Sequence, residues 1–374
     1  MKIAIIRKKY IFHGGSESFS HNLIERLADE GHEIHIFAMK WDVSEPLKNI
    51  HFHKVPAISF NSFLRDITFA LSAYRILKRE QFHIIQSHDK TLYQDIYRAG
   101  DGCHIEWLRQ RWERAGLFGK LSVILNPYHW LILAMERMIF KGHRFKKVIA
   151  ISELVKRNII EYYQVDERDI EVIYNGVDLK RFNPENRKLY SKEIRERFSI
   201  GRDEFVVLFV GSGFVRKGVE YLLKAVELLP EPITVMIVGK GSERKMMKFV
   251  KKQRVIFCGP QREVHKHYAA SDIFVFPTIY EPFGNVHLEA LASGLPIVTT
   301  KLSGASEIIK DGLQGFVIDK PEDIRTIAEK ILFLTAKDKN QMMSSEARKL
   351  AENFSLYTHI NKMLTLYQSL LSPL

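Results

Sequence analysis

Runs of β-branched and aromatic residues alternate with segments of helical periodicity along the entire chain. Most runs are continuous, without a polar residue at every second position, which is typical of strands buried on both faces of a sheet. They cover residues 2–7, 33–39, 82–88, 147–152, 170–176, 205–211, 233–239, 254–259, 273–278, 296–300 and 316–319. Between the first two, Phe19, Leu23, Ile24 and Leu27 form one apolar helical stripe, and Gly31 marks its end. This alternation predicts an α/β fold with parallel sheets.

The predicted strands are too many for one sheet of ordinary size. The segment 175–189 is rich in Asn, Pro, Gly and charged residues, so it is predicted to connect two domains. A chain of 374 residues is long enough for both. We therefore predict an N-terminal Rossmann-like domain over 1–178, a second over 179–355, and a C-terminal helix in 356–374 that packs back toward the first. Ligands of such sheets bind beyond the carboxyl ends of the strands, which predicts a cleft between two facing domains.

Composition and charge narrow the class of protein. Apolar residues make up 46% and charged residues 27% of the chain, which is typical of a folded globular protein and excludes a disordered one. The formal net charge of +12 indicates an anionic partner such as a nucleic acid, a membrane or a phosphorylated substrate. No nucleic-acid-binding module is recognised, so no nucleic acid is expected. Cys103 and Cys258 lie far apart in the sequence and do not form a disulfide framework, which fits a reducing compartment. The apolar start of the chain is too short for a signal peptide, so we expect a cytoplasmic protein.

Two strand-to-helix loops contain residues that suit phosphate binding. Gly14 and Gly15 follow the first strand and allow a ligand to approach the backbone closely. Arg216 and Lys217 precede a helix, where two cations oppose the helix dipole unless an anion is bound. The alternative for Gly14 and Gly15 is a simple turn, and the alternative for Arg216 and Lys217 is a pair of solvated surface charges. The absence of GxGxxG and GxxxxGK[ST] spacings argues against a nicotinamide dehydrogenase and a P-loop ATPase.

The sequence EPFGNVHLEALASGLP at 281–296 is the most distinctive segment of the chain. It follows the strand 273–278 and places Glu281 before the next predicted helix and Glu289 in the first turn of that helix. Backbone N–H groups at a helix start could bind a phosphate, and the two carboxylates could accept hydrogen bonds from sugar hydroxyls. A glutamate that only favours the helix dipole is the alternative for Glu289.

This segment resembles the E-x7-E motif of the retaining glycosyltransferases of family 4. Other signatures of that family are similar to NGVD (175–178), VGSGFVRKG (210–218), VGKGSE (238–243), SGLPIVTTKLSGASEII (293–309) and DGLQGFVID (311–319). The resemblance covers essentially the whole chain. It implies the GT-B fold, in which two Rossmann-like domains face each other, and an enzyme that transfers a sugar from a nucleotide sugar.

The resemblance also implies a role for each matching residue. Glu289 is expected to bind the ribose hydroxyls of the donor, and Glu281 the hydroxyls of the transferred sugar. Arg216 and Lys217 are expected to stabilise the departing diphosphate. The other expected donor contacts are Gly14, Gly15, Phe283, Gly284, Asn285 and Val286. The resemblance implies front-face substitution without a cofactor or a metal, so Glu281 is not expected to act as a nucleophile as in retaining glycosidases.

Residues that bind the acceptor are expected after the strand 82–88. The candidates are His88, Lys90, Asp101 and His104, with Asp101 as the catalytic residue that orients the acceptor; an ordinary turn aspartate is the alternative.

Within the family, the chain most resembles the bacterial lipopolysaccharide core glucosyltransferases, which implies UDP-glucose as donor and an inner-core heptose as glycolipid acceptor. A different donor (UDP-N-acetylglucosamine or GDP-mannose) on a polyprenyl-linked or capsular glycan, and a GT-B nucleotide-sugar epimerase, are the alternatives.

A basic and aromatic segment at 104–147 indicates contact with an anionic membrane surface. It holds nine Lys or Arg residues, three Asp or Glu residues and three of the four Trp residues. Basic residues interleaved with Trp are typical of surfaces that rest on anionic headgroups. Asn126, Pro127 and Glu136 interrupt its most apolar part, so no transmembrane span is predicted. We expect peripheral association with the inner membrane; packing of Trp130 and its neighbours on the first sheet is the alternative.

Overall fold

The computed structural model describes residues 1–10, 23–42 and 48–371. The chain divides into two compact units, the first made of Met1–Tyr174 with His359–Leu374 and the second of Asn175–Thr358. The sequence analysis placed the corresponding limits after residues 178 and 355. Residues 175–178 belong to the second unit because Val177 pairs with Ser355, with Val177 N–H donating to the Phe354 carbonyl over 2.8 Å.

The first unit contains nine described strands, seven of which form one sheet covered by helices. Its strands are β1 (Lys2–Ile6), β2 (Lys9–Tyr10), β3 (Glu33–Ala38), β4 (Lys40–Trp41), β5 (Ile50–Lys54), β6 (Ile84–Ser87), β7 (Ile96–Ala99), β8 (Lys147–Ala150) and β9 (Ile170–Val172). Its helices are α1 (described over 23–29), α2 (Ser62–Leu77), α3 (His104–Arg114), α4 (Leu117–Leu125), α5 (Pro127–Phe140) and α6 (Glu153–Tyr163), with a 3-10 turn at Glu167–Asp169. The strand order is β5-β3-β1-β6-β7-β8-β9, all parallel, and β2 pairs with β4 apart from this sheet.

The second unit repeats this plan with six strands. They are β10 (Val206–Val210), β11 (Thr234–Val238), β12 (Arg254–Gly259), β13 (Ile273–Phe276), β14 (Ile297–Thr300) and β15 (Gly315–Ile318), in the parallel order β12-β11-β10-β13-β14-β15. The helices are α7 (Asn186–Arg197), α8 (Val219–Val226), α9 (Glu243–Met247), α10 (Val264–Ala269), α11 (Asn285–Ala292), α12 (Ile324–Thr335) and α13 (Lys337–Glu352), with a 3-10 turn at Gly304–Ile308. Two parallel-sheet α/β units are the architecture that the sequence predicts.

The central strands explain why the apolar runs are continuous. Every residue of β6, β10, β11, β13 and β14 is buried, as expected for parallel strands with helices on both faces. Four strands were not predicted from the sequence: the two-residue strands β2 and β4, and β5 and β7 of the large sheet. β5 (IHFHK) is a half-exposed edge strand with three polar side chains, and β7 (IYRA) contains the buried Arg98.

The C-terminal helix α14 (Leu356–Leu371) completes the core of the first unit. Ile360, Met363 and Tyr367 are buried in the cluster that also contains Ile3 and Ile5 of β1. The Tyr367 hydroxyl donates a hydrogen bond over 2.8 Å to the Oε1 atom of Gln86, and both side chains are fully buried. Among the described helices, none combines the length and the apolar character needed to cross a membrane.

We predict that Tyr367→Phe lowers the free energy of unfolding by about 1–3 kcal/mol, because it leaves the buried Gln86 oxygen without this donor. Tyr357→Phe is the matched control, since Tyr357 lies on the same helix and is 64% exposed. Urea titrations of the three proteins measure the difference. Equal destabilisation by both substitutions would contradict a specific contribution of this hydrogen bond.

Candidate active site

The backbone around Glu281 is fixed by the neighbouring strand of the second sheet. The chain leaves β13 at Phe276 and runs along the segment that follows β14. The Glu281 N–H donates to the Leu302 carbonyl over 3.0 Å, and the Gly304 N–H donates to the Glu281 carbonyl over 2.9 Å. These bonds hold Glu281 at the carboxyl edge of the sheet, where α/β folds bind their ligands.

One oxygen of Glu281 binds two cations. Its Oε2 atom lies 3.0 Å from Arg216 Nη1 and 3.1 Å from Lys217 Nζ, and its side chain is only 13% exposed. Arg216 Nη1 also donates to the Tyr280 carbonyl over 2.9 Å, and the Lys217 ammonium lies 5.1 Å from the centre of the Phe276 ring. Burial raises the pKa of Glu281, but Lys217 and Arg216 outweigh it and hold this pKa below its usual value. The group carries two positive charges and one negative charge, so it retains an attraction for an anion.

This geometry corrects one alternative from the sequence. Arg216 and Lys217 are not two solvated charges, because both are paired with Glu281 and the Lys217 side chain is only 14% exposed. Among the described residues, no donor contacts the other carboxylate oxygen, Oε1, which leaves it for a hydroxyl of a ligand.

The start of helix α11 lies directly beside this group. Gly284 precedes the helix with a φ of 85°, in the left-handed region that glycine tolerates best. The N–H groups of Asn285 and Val286 occupy the first turn and have no acceptor within the helix. The loop is fixed by Ser303, whose hydroxyl donates to the Phe283 carbonyl over 3.0 Å. Such a helix start binds anions through its free N–H groups.

The sequence analysis misplaced Glu289 by one turn. Helix α11 begins at Asn285, so Glu289 lies in its second turn, because the segment up to Gly284 stays outside the helix. The helix dipole acts within the first turn, which removes the alternative of a dipole glutamate. Glu289 is 8% exposed, burial raises its pKa, and its Oε2 atom accepts a hydrogen bond from the Tyr268 hydroxyl over 3.0 Å.

His287, which was not predicted from the sequence, supports this loop through two contacts of its imidazole ring. The ring is fully buried, with Nδ1 2.9 Å from the Gly284 carbonyl and Nε2 2.8 Å from the Thr299 hydroxyl. Burial lowers its pKa to about 4, so the ring is neutral at pH 7. The Gly284 carbonyl requires a donor, so Nδ1 carries the proton, and the unprotonated Nε2 faces the Thr299 hydroxyl, which itself donates to the Phe276 carbonyl over 3.0 Å. A single histidine among mostly buried helix residues gives no sequence signal that separates this role from core packing.

In the first unit, Lys90 and His104 meet at a buried carboxylate that the sequence analysis did not single out. Glu136 of α5 is fully buried, and its Oε1 atom lies 3.5 Å from Lys90 Nζ and 2.8 Å from the His104 backbone nitrogen. Burial lowers the pKa of Lys90, but Tyr97, Glu136 and Asp101 outweigh it and raise this pKa well above its usual value. Lys90 is therefore a charged residue at the carboxyl edge of the first sheet.

The structure places Asp101 near Lys90 and His104 and gives His88 different neighbours. Asp101 is an exposed turn residue after β7, close enough for its charge to affect the pKa of both side chains. The His104 ring contacts His129, and burial and Lys90 lower its pKa to about 3. His88 contacts Gln86, and its pKa is well below the usual value because of burial and the nearby charge of Arg98. Gly14 and Gly15 lie outside the described residues.

Two family models match consecutive parts of the chain. The model described as glycosyltransferase family 4 matches residues 13–181, and the model described as glycosyl transferases group 1 matches residues 191–350. The crystal structure of WaaG, a glycosyltransferase involved in lipopolysaccharide biosynthesis, superposes with a TM-score of 0.83 at 24% identity, over 98% of this chain and 99% of that one. The chain belongs to the GT-B glycosyltransferases. The family and the fold that the sequence predicts are thereby confirmed.

Three relatives of this glycosyltransferase are informative. The lipopolysaccharide glucosyltransferase WaaG of Escherichia coli K12 is 26% identical over 96% of both chains. The UDP-Gal:α-D-GlcNAc-diphosphoundecaprenol α-1,3-galactosyltransferase of Escherichia coli is 28% identical over 84% of this chain and 82% of that one. The structure of Anabaena Alr3699/HepE in complex with UDP and glucose has a TM-score of 0.72 at 18% identity, over 99% of this chain and 100% of that one. The two relatives from Escherichia coli are both sugar transferases, and they differ in the sugar that their names give.

The buried imidazole of His287 makes the glycosyltransferase sensitive to acid. Its pKa in the folded state, about 4, lies below the value of about 6.5 in an unfolded chain, so the unfolded state binds the proton first as the pH falls. Its contribution to stability is complete above pH 6.5 and decreases between pH 6.5 and 4. We predict that the loss of unfolding free energy between pH 7 and pH 5 is about 2 kcal/mol smaller in His287→Gln than in the wild type.

Urea unfolding at the two pH values measures this difference. The control is His143→Gln, because the His143 side chain is 64% exposed. The same pH dependence in His287→Gln and in the wild type would contradict the assignment of a neutral buried ring.

Proposed function

We propose that the protein is a retaining hexosyltransferase that moves glucose from UDP-glucose to an inner-core heptose of lipopolysaccharide at the cytoplasmic face of the inner membrane. The observation that carries the proposal is the group formed by Arg216, Lys217 and Glu281. It offers excess positive charge for a diphosphate and a carboxylate oxygen for a sugar hydroxyl at the same place.

In the proposed reaction, the bond between the sugar C1 atom and the diphosphate oxygen breaks as negative charge develops on that oxygen. Arg216 and Lys217 stabilise this charge, together with the N–H groups at the start of α11. The acceptor oxygen forms its bond to C1 on the same face, and its proton passes to the departing diphosphate. Glu281 is paired with two cations, which makes it a weak nucleophile, so its proposed role is to bind the sugar. We propose no metal or cofactor in this step, because the two cations supply positive charge at the diphosphate.

Glu289 is proposed to accept hydrogen bonds from the ribose hydroxyls. Its raised pKa indicates a carboxyl group that burial leaves poorly solvated. Two ribose hydroxyls would donate to it and restore the hydrogen bonds lost with water. The Tyr268 hydroxyl holds one of its oxygens in place.

The relatives support UDP-glucose more than other donors. WaaG is described as a lipopolysaccharide glucosyltransferase and matches nearly the full chain, and HepE was crystallised with UDP and glucose. The galactosyltransferase that uses UDP-Gal shows that this level of identity also includes other sugars. Transfer of N-acetylglucosamine or mannose to a polyprenyl-linked or capsular glycan, and epimerisation of a nucleotide sugar, are the competing outcomes.

A thermal-shift screen tests the donor. UDP-glucose is expected to raise the melting temperature more than UDP-galactose, UDP-N-acetylglucosamine, GDP-mannose or ADP-glucose, because ligand binding stabilises the folded state. Release of UDP in the presence of a lipopolysaccharide acceptor that lacks the core glucose then tests transfer. A larger shift with another donor assigns a different sugar, and conversion of the donor without an acceptor indicates an epimerase.

Lys217→Gln is predicted to reduce transfer by about a hundredfold or more, because it removes a cation from the departing diphosphate. The control is Lys224→Gln on α8, where Lys224 is paired with Glu220 and 39% exposed. Rates of UDP release measure the effect at saturating donor. Full activity of Lys217→Gln with an unchanged fold would refute the assigned role.

Lys90, Asp101 and His104 are proposed to bind the acceptor, with Asp101 orienting the attacking hydroxyl. Asp101 is exposed, whereas the side chain of Lys90 is 11% exposed and carries its charge beside Glu136. An exposed carboxylate beside a charged amine suits the hydroxyl groups of an acceptor sugar. The position of His88 beside Arg98 makes it a more distant part of this group.

We further propose that helix α4 rests on an anionic membrane. None of its residues is buried, and its sequence LFGKLSVIL is mostly apolar. Leu117 is 81%, Phe118 88% and Leu125 68% exposed. Trp130 of α5 is 62% exposed, whereas its neighbour Leu131 is buried, so the aromatic and the packing faces of that helix differ. An exposed apolar helix flanked by basic residues suits the boundary between headgroups and acyl chains.

Replacing both Leu117 and Phe118 by Ser is predicted to weaken binding to vesicles of phosphatidylglycerol and phosphatidylethanolamine by about tenfold or more, since two exposed apolar side chains no longer enter the membrane. Leu189→Ser, at a residue of α7 that is 67% exposed, is the control. Co-sedimentation with vesicles measures the affinity. Unchanged binding of the double variant would exclude α4 as the membrane contact.

A further inference from the structure

Three histidines and a glutamate lie together on one face of the first sheet, away from the proposed acceptor residues. The parallel register places His35 of β3 opposite His51 of β5, and Phe37 opposite His53. Side chains alternate along a strand, so Glu33 shares the face of His35, and His53 that of His51. Glu33 and His51 lie at the amino ends of their strands, and β5 is an edge strand.

The potential metal-binding atoms of three of these residues are close together. Glu33 Oε1 lies 2.9 Å from His35 Nε2 and 3.8 Å from His51 Nε2. All three ligand atoms lie within 4.8 Å of one another. Two ligands bound to one Zn²⁺ at about 2.0–2.1 Å stand about 3–4 Å apart. The distances from Glu33 Oε1 to the two imidazole nitrogens therefore match a shared ion.

Burial differs among the three residues in a way that suits ion binding. His35 is 7% exposed and forms a fixed anchor in the sheet. The side chains of Glu33 and His51 are 51% and 54% exposed, so an ion can reach them and they can adjust around it. This combination provides a path of entry as well as one rigid ligand.

His53 supplies the second contact that a metal-binding histidine requires. Its Nε2 atom lies 2.7 Å from His35 Nδ1, and its ring stacks on Phe37 with 4.6 Å between ring centres. When His35 binds a metal through Nε2, its Nδ1–H donates to His53, which fixes the tautomer and the ring orientation. Without a metal, a proton on Nε2 joins His35 to Glu33 instead.

We propose that Glu33, His35 and His51 bind one divalent transition-metal ion such as Zn²⁺, with His53 as the supporting acceptor. Two imidazoles and one carboxylate suit this class of metal, with a fourth position open to water. The ion would join the edge strand β5 to β3. The site lies at the amino ends of the strands and the proposed acceptor residues lie at the carboxyl ends, so the proposed transfer does not depend on it.

Lys2 limits the affinity of the site. It pairs with Glu33 in the β1–β3 register, and its ammonium lies 4.8 Å from the centre of the Phe82 ring. A positive charge beside Glu33 opposes a second cation. Lys2→Gln is therefore expected to strengthen metal binding, which a purely structural hydrogen-bonded cluster would not show.

Isothermal titration of the full chain without a histidine tag, first stripped with chelator, tests the site with Zn²⁺. One ion per chain is expected, with a rise in melting temperature, and Co²⁺ is expected to give the visible absorption of a four-coordinate site. His51→Gln and Glu33→Gln, both at exposed side chains, are expected to lose at least tenfold in affinity, and His143→Gln none. Absence of binding by the wild type, or equal binding by the wild type and His51→Gln, overturns the proposal.

Discussion

The sharing of one Glu281 oxygen between Arg216 and Lys217 determines the chemistry of the second unit. The two cations come from the loop before α8, and the carboxylate comes from the loop after β13. Separately, each charge would have to be solvated at a mostly buried position, which is costly. Together they satisfy one another and leave one positive charge in excess. The proposed diphosphate would therefore bind without the removal of an existing partner.

A close backbone approach makes this pairing possible. Gly218 follows Lys217 with a φ of 79°, and a Cβ atom at this position would lie 1.8 Å from the Pro277 carbonyl oxygen. Only glycine allows the loop after β10 to press this closely against the end of β13. The same principle recurs at Gly284, where an added Cβ would lie 2.8 Å from His287 Nδ1 and 3.0 Å from Glu281 Cγ. The charged residues are thus placed by glycines that carry no chemistry themselves.

The sequence could predict the fold and much of the second site, for physical reasons. Continuous apolar runs predict the strands, most of which are buried on both faces, whereas the edge strand β5 alternates polar and apolar residues and β7 contains a buried arginine, so neither was predicted. The spacing of Glu281 and Glu289 is a local property of one loop and helix. The partners Tyr268 and Glu136 come from separate elements, and His287 lies within the motif itself, where the spacing carries no information about its contacts.

The net charge of +12 acquires a different meaning when it is divided along the chain. Residues 1–178 contain 26 basic and 22 acidic residues, a net charge of +4, whereas 104–147 alone contain nine and three, a net charge of +6. The remainder of that part is therefore acidic by two charges. The excess positive charge of the first unit is thus concentrated on the helices of 104–147, which include the exposed α4. The positive charges of Arg216 and Lys217, in contrast, are largely buried. Exposed charges act over about 8 Å at physiological salt and are readily screened, whereas mostly buried ones are screened far less. The proposed membrane contact would thus be a weak attraction that salt can adjust, whereas the proposed diphosphate site would be a strong and local one.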